Sequence, residues 1–153
     1  MINNNFEKKL KSKEFVFTAE TSPPDSTVRS EITDRVLCLK DLADAINVTD
    51  GASAKSHLSS LVVSSIIKDI EIEPILQLTT RDRNRIAIQS DLLGAWTLNI
   101  QNILCIYGDQ VETGDQPETK DVRDLDTLGV INTANYFKKE KKFPSGRSIN
   151  SAP

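Results

Sequence analysis

Residues 100–110 read I-Q-N-I-L-C-I-Y-G-D-Q, and the rest of the chain is best read outward from them. Ile103, Leu104, Cys105 and Ile106 form a short continuous apolar run, the pattern of a strand buried on both faces of a parallel sheet. The run stops at Gly108-Asp109. Glycine permits a tight turn or a close approach to a ligand, and the aspartate sets a carboxylate at the strand's C-terminal end. In parallel α/β proteins that end is where ligands bind. Taken alone, the pair reads equally as a turn opening a long loop.

Upstream, the same alternation of strand and helix recurs. Residues 3–13 are polar and Lys-rich, with Phe6 and Leu10 at helical spacing, and predict a short helix or arm. Glu14 to Glu20 (E-F-V-F-T-A-E) is β-branched and aromatic, a first strand stopped by Pro23-Pro24. Asp25, Ser26 and Thr27 can cap a helix carrying Val28, Ile32, Val36, Leu39 and Ala43 at steps of three and four. Ala45 to Thr49 is a second strand, closed by Asp50-Gly51. A second helix is expected from Ala54 to Lys68, with Leu58, Leu61, Val62, Ser65 and Ile66 on one face. Glu73 to Leu78 is a third strand, and Thr79 to Asp82 lead into a helix lined by Ile86, Leu92, Leu93 and Trp96.

Downstream, Val111 to Arg123 is a polar loop. Asp124 caps a last helix with Leu125, Leu128, Ile131 and Ala134 inward. The divisions are thus an arm (1–13), four βα units (14–139) and a polar, solvated tail (140–153). A β-α-β-α-β-α-β-α order means an α/β fold with parallel strands and helical crossovers. Four units are half of a (β/α)₈ barrel, which takes about 250 residues. An open four- or five-stranded sheet is the alternative. E-T-S-P-P after the first strand lacks the G-x-G-x-x-G of a dinucleotide site.

Composition narrows the function class. The chain has 153 residues, 38% hydrophobic and 27% charged, with a net charge of −3. Lys and Arg are scattered, so nothing argues for nucleic acid or an anionic membrane. No apolar run approaches the ~20 residues that span a bilayer, and M-I-N-N-N-F-E-K-K-L has no apolar signal core, so the expected location is cytoplasmic. The two cysteines, Cys38 and Cys105, are far apart in apolar segments and read as buried thiols. With one histidine and no Cys/His cluster, no metal site is expected.

The strand ends carry Glu20, Thr49, Gln77 and Asp109. In parallel strands these converge on one rim, as functional groups do in barrel enzymes, although strands also end in polar residues simply because they end at solvent. Glu20 lies between an apolar strand and a rigid Pro-Pro, where partial burial would raise its pKa and suit it to proton donation. Asp109 can set a negative charge against a ring or a cation. Thr79 to Asn84 (T-T-R-D-R-N) offers Arg81, Arg83 and a helix N-terminus, either a phosphate hold or a capped helix with solvated arginines. His57 is expected on a helix surface, and Trp96 in the core.

E-T-S-P-P, N-V-T-D-G, Q-L-T-T-R-D-R-N with I-A-I-Q-S-D-L-L-G-A, and Y-G-D-Q with V-R-D-L-D resemble the methylenetetrahydrofolate reductase family over roughly residues 6–137. The resemblance implies a flavoprotein on a TIM barrel. In it FAD takes hydride from NADH or NADPH and passes it to 5,10-methylenetetrahydrofolate, giving 5-methyltetrahydrofolate for methionine biosynthesis and one-carbon metabolism. Glu20 then matches the general acid, and Asp109 the acidic residue beside flavin and pterin. Thr49 matches a flavin and nicotinamide contact. Tyr107, Gly108, Val122 and Arg123 align with the segment holding the ribityl and phosphate parts. Gln77 stands where many members have histidine.

Family barrels continue for about four more strands. A half or truncated barrel has unpaired edges, so a homo-oligomer or a partner chain completing the barrel is expected. A non-catalytic flavin-binding or assembly half and an inactive truncated copy are the alternatives.

Overall fold

The computed structural model describes residues 5–152. Helix α1 (Asn5–Ser12) leads into strand β1 (Thr18–Thr21), followed by α2 (Arg29–Leu37), β2 (Ala45–Val48), α3 (Ser60–Asp69), β3 (Pro74–Thr79), α4 (Arg85–Thr97), β4 (Asn102–Ile106) and α5 (Thr127–Glu140). One-turn 3₁₀ segments at Ala52–Ala54 and Val111–Thr113 follow β2 and β4. The four strands form one sheet in the order β1-β2-β3-β4, every pairing parallel. This is the half-barrel arrangement: four parallel strands alternating with helices. No helix among the described residues is long and apolar enough to cross a membrane.

The two faces of the sheet differ. Ile46 and Val48 on β2 pack with Ile32 and Val36 of α2 and Val63, Ile66 and Ile67 of α3. Leu78 on β3 meets Ile88 and Leu92 of α4 and Val130 and Phe137 of α5. The other face carries Glu20, Asn47, Ile75 and Asn102 in one cross-strand row, with Gln77 and Leu104 paired two residues on. That face is open, and Leu104 is 44% exposed. The run Ile103–Ile106 is therefore not buried on both faces. Ile103 and Cys105 pack against the core, while Leu104 faces the uncovered side.

Several boundaries differ from expectation for local reasons. Pairing starts at Thr18, opposite Ala45, not at Glu14. Phe15 and Phe17 are left exposed, and the Phe17 main chain is held by Asp44 instead. No side chain caps α2: Val28 occupies the cap position, and Leu39 and Ala43 lie beyond the helix end. Helix α3 starts at Ser60 and not at Ala54, which lies in a left-handed turn, and its buried positions are Ser60, Val63, Ser64, Ile66 and Ile67 rather than Val62. Ile86 and Trp96 lie on the exposed side of α4, opposite Ile88, Leu92 and Ala95. Asn84 caps that helix through the N–H groups of Ile86 and Ala87. Helix α5 is capped by Asp126 and not Asp124, and Val130, Thr133 and Phe137 rather than Leu128 and Ile131 face inward. Neither thiol is fully buried: Cys38 is exposed and Cys105 half-buried, where burial pushes its pKa up.

The end of the chain is only partly a solvated tail. Helix α5 continues to Glu140, and the strand-like bridge Lys142–Ser148 folds the next residues back. Phe143 sits edge-on to Phe137, with ring centroids 5.3 Å apart, and Ile149 joins the same cluster. Polar spacing hid this, because two apolar residues in a Lys-rich stretch carry no period. Phe137→Ala is expected to cost about 3–5 kcal/mol, removing core volume and the seat of Phe143. Urea unfolding measures this, and a loss below about 1 kcal/mol would show that the Phe137 seat is unimportant.

Candidate active site

Parallel strands bring their C-terminal ends to one rim, and each of the four delivers a polar side chain there. Glu20, Thr49, Asp50, Ala52, Gln77, Ile106, Gly108 and Asp109 line an open cleft of about 370 Å³. Gln77 Nε2 donates to Glu20 Oε2 at 3.2 Å, linking β3 to β1 across β2. The Thr49 hydroxyl donates to Ser22 Oγ at 3.2 Å. The Asp109 carboxylate accepts the Ser53 N–H at 2.8 Å. The expected convergence of Glu20, Thr49, Gln77 and Asp109 is thus what the structure contains. The expected burial of Glu20 is not: β1 is an edge strand, its open side has no neighbour among the described residues, and Glu20 is exposed.

A glycine at 108 is required sterically. Its φ is +87°, and a Cβ there would run into Thr79 Oγ1 and come within 3.1 Å of Arg81 Cβ. Both Thr79 and Thr80 hydroxyls donate to the Tyr107 carbonyl, at 3.3 and 3.2 Å. Beyond the cleft, Arg123 stacks over the half-exposed Tyr107 ring, its guanidinium carbon 4.0 Å from the centroid. Its Nη2 donates to the carbonyls of Gly108 and Asp109 at 3.2 Å each. Val122 N–H donates to the Arg81 carbonyl at 2.8 Å. Tyr107, Gly108, Asp109, Val122 and Arg123 therefore form one continuous rim, and Arg123 Nε is buried there with no hydrogen-bond partner.

In the sequence Asp50 stands out only as a strand terminator. It is buried, and it accepts from the Thr79 N–H at 2.8 Å, Ser60 Oγ at 3.1 Å and Arg83 Nη1 at 2.6 Å. Arg83 also donates to Asp91 at 2.8 Å. Burial opposes the Arg83 charge, yet Asp50 and Asp91 outweigh it and hold the guanidinium above its ordinary pKa. Arg81, 3% exposed, is engaged by Asp82, and its pKa is likewise raised. Neither arginine is a solvated side chain or a free phosphate hold; both are internal ties. Asp50 could have been noticed as a carboxylate in line with Thr49 and Gly51, but its three partners lie on other elements.

His57 is not helical. It lies between the Asp25 carboxylate, 2.6 Å from Nδ1, and the Ala52 carbonyl, 3.3 Å from Nε2, and so links the loops after β1 and β2. A larger hollow of about 900 Å³ lies at the opposite end of the sheet. Its lysines pair with acids there, Lys9 with Asp44, Lys40 with Glu71 and Lys68 with Glu73. Such charge pairing at the strand N-termini is the arrangement of a stabilising face.

The family model for methylenetetrahydrofolate reductase matches residues 5–147. The chain belongs to the methylenetetrahydrofolate reductase family. No curated protein matches it. The family is one of oxidoreductases on TIM barrels, and the four βα units of this chain are the half-barrel pattern of that fold. A methylenetetrahydrofolate reductase-like function follows at that level.

Just outside the rim, Asp124 takes Arg85 in a fork, with Nε at 2.7 Å and Nη2 at 2.8 Å, and also accepts the Arg85 N–H at 2.9 Å. These hydrogen bonds lower the Asp124 pKa to about 2. A carboxyl whose folded pKa is depressed adds stability above its unfolded value, near 3.9, and loses it as pH falls towards the folded one. The loop between β4 and α5 is therefore expected to stay clipped to α4 at pH 4 and to come loose between about pH 4 and pH 2. Carbon-detected NMR titration of Asp124 reads the midpoint, which Arg85→Gln should return towards about 3.9.

Proposed function

We propose that this chain is the flavin-side half of a methylenetetrahydrofolate reductase, moving hydride from NADH or NADPH through FAD to 5,10-methylenetetrahydrofolate. The observation that carries the reading is the meeting of Glu20, Thr49, Gln77 and Asp109 in one cleft. An acid, an anion and two neutral hydrogen-bonding side chains are the set that protonation of a leaving nitrogen beside a developing cation requires.

The residues present fit the cofactor. Gly108 lets the main chain lie flat against the end of β3, with no side chain in the way. The buried Arg123 Nε lacks an acceptor on the rim, where a ribityl or phosphate oxygen would supply one. Thr49, Gln77, Tyr107, Gly108, Asp109, Val122 and Arg123 are the residues that would hold FAD. Bound there, FAD supplies the two-electron chemistry that accepts hydride from the nicotinamide and gives it to the folate carbon.

The chain's own side chains do the rest. Glu20 donates a proton to the folate nitrogen, and the carbon–nitrogen bond of the five-membered ring opens to an electrophilic iminium. Gln77, donating to Glu20 Oε2, fixes which carboxylate oxygen remains to carry that proton. The Asp109 carboxylate places negative charge near the cation and favours its formation. Thr49 offers its hydroxyl oxygen to a donor on the ligand while its proton is committed to Ser22. With Glu20 exposed and Leu104 uncovered, a second chain or a second copy over the open face would exclude water and complete the folate site. A non-catalytic assembly half, bound to such a partner, is the second reading this exposure favours. The proposed setting is cytoplasmic one-carbon metabolism.

Purified protein, with any partner that accompanies it, is expected to retain or take up FAD, seen in its visible absorbance, and to oxidise reduced nicotinamide with a folate acceptor. Glu20→Gln is expected to lower folate-dependent turnover by about 10²–10⁴-fold without loss of flavin. Protein that neither binds flavin nor shows that oxidation, alone or with its partner, overturns the proposal. Flavin binding without turnover selects the assembly reading.

A further inference from the structure

Asp109 is held at both ends. Its main-chain carbonyl accepts from Arg123 Nη2 at 3.2 Å and, more weakly, from Arg81 Nη1 at 3.5 Å, and its carboxylate accepts the Ser53 N–H at 2.8 Å. Ser53 lies in a left-handed stretch, where Gly51, Ser53 and Ala54 have φ of 59°, 57° and 53°. Residues with side chains avoid that region unless their surroundings hold them in it.

The hold comes from Arg81. Its Nη1 and Nη2 both donate to the Gly51 carbonyl, at 3.2 Å each. The other side of the fork is locked by Asp82, whose carboxylate oxygens lie 2.7 Å from Nε and from Nη2. Arg81 itself is seated on β3, its N–H donating to Thr79 Oγ1 at 3.3 Å. Glycine at 51 makes the contact possible, since a Cβ there would collide with Arg81 Nη2. A planar guanidinium can serve one carbonyl and one carboxylate together; an ammonium has the charge without the fork.

We infer that Arg81 is a positioning residue of the candidate site: by fixing the Gly51 carbonyl it sets the turn whose Ser53 N–H orients the Asp109 carboxylate at the cleft. The role matters for chemistry only if Asp109 has the function proposed above, so the test begins on flavin-free protein. Arg81→Lys and Gly51→Ala disturb the same contact from its two sides. Each is expected to speed hydrogen exchange at the Ser53 amide by at least about tenfold, with the amides of β2 and β3 keeping wild-type protection. Arg81→Ala is expected to lose the same protection and to regain it when guanidinium ion is added. If Arg81→Ala does not fold, Asp82→Asn, at a half-exposed position, loosens the same fork and is read the same way.

Unchanged Ser53 protection in both first variants, or its loss only together with the strand amides, overturns the inference. In flavin-loaded protein Arg81→Lys is expected to lower kcat about tenfold with KM nearly unchanged, and an unchanged kcat also overturns it. Failure of the wild-type chain to bind flavin would sink the reductase proposal while leaving the exchange result standing.

Discussion

The candidate rim depends on one buried carboxylate. Asp50 leaves the end of β2 and receives the main-chain N–H of Thr79 on β3, the hydroxyl of Ser60 at the start of α3, and the guanidinium of Arg83 ahead of α4. Four consecutive elements are thereby tied at the level where their strands stop. A charge buried in this way is tolerated because its oxygens are all engaged and its counter-charge is adjacent; remove one partner and the other is stranded. Arg83 reaches on to Asp91 within α4, so the tie extends into the helix layer. The neighbouring side chains Thr49 and Gln77 stand beside this knot and add their own hydrogen bonds, to Ser22 and to Glu20.

The asymmetry of the sheet is the second determinant. Helices cover one face and bury apolar clusters against it from α2 to α5, whereas the other face mixes Glu20, Asn47, Gln77 and Leu104. That mixture suits neither bulk water nor a dry core. Glutamate and glutamine favour a polar ligand, and the isoleucine and leucine in the same cross-strand rows favour an apolar layer. The same strands thus present a stabilising side and a side suited to chemistry, separated by one residue of register.

Much of this was legible in the sequence, because two simple periodicities suffice for it. Alternation of strand and helix forces parallel pairing, and parallel pairing forces Glu20, Thr49, Gln77 and Asp109 to the same end. Helix faces were harder. Ile86, Trp96, Leu128 and Ile131 are apolar and correctly spaced, yet they point outward, because Ala95, Thr133 and Phe137 give an equally good stripe on the other side. The exposure of Glu20 and Leu104 is not legible for a different reason: a strand's own residues say which face they are on, not whether anything lies over it. The left-handed turn at Ser53 and Ala54 left no mark at all, since it is imposed by an arginine nearly thirty positions away.

Strand order has a kinetic corollary. Every neighbour in the sheet is also the next strand along the chain, and no strand waits for a distant segment to arrive. Chain entropy lost on closing each crossover is that of one helical connection, and it is recovered at once by the ladder that forms. The order therefore suits assembly unit by unit as the polypeptide leaves the ribosome, with β2 and its helices able to collapse on β1 before β4 has been made. The knot at Asp50 can tighten only when Arg83 emerges, so the rim is finished after the layers beneath it.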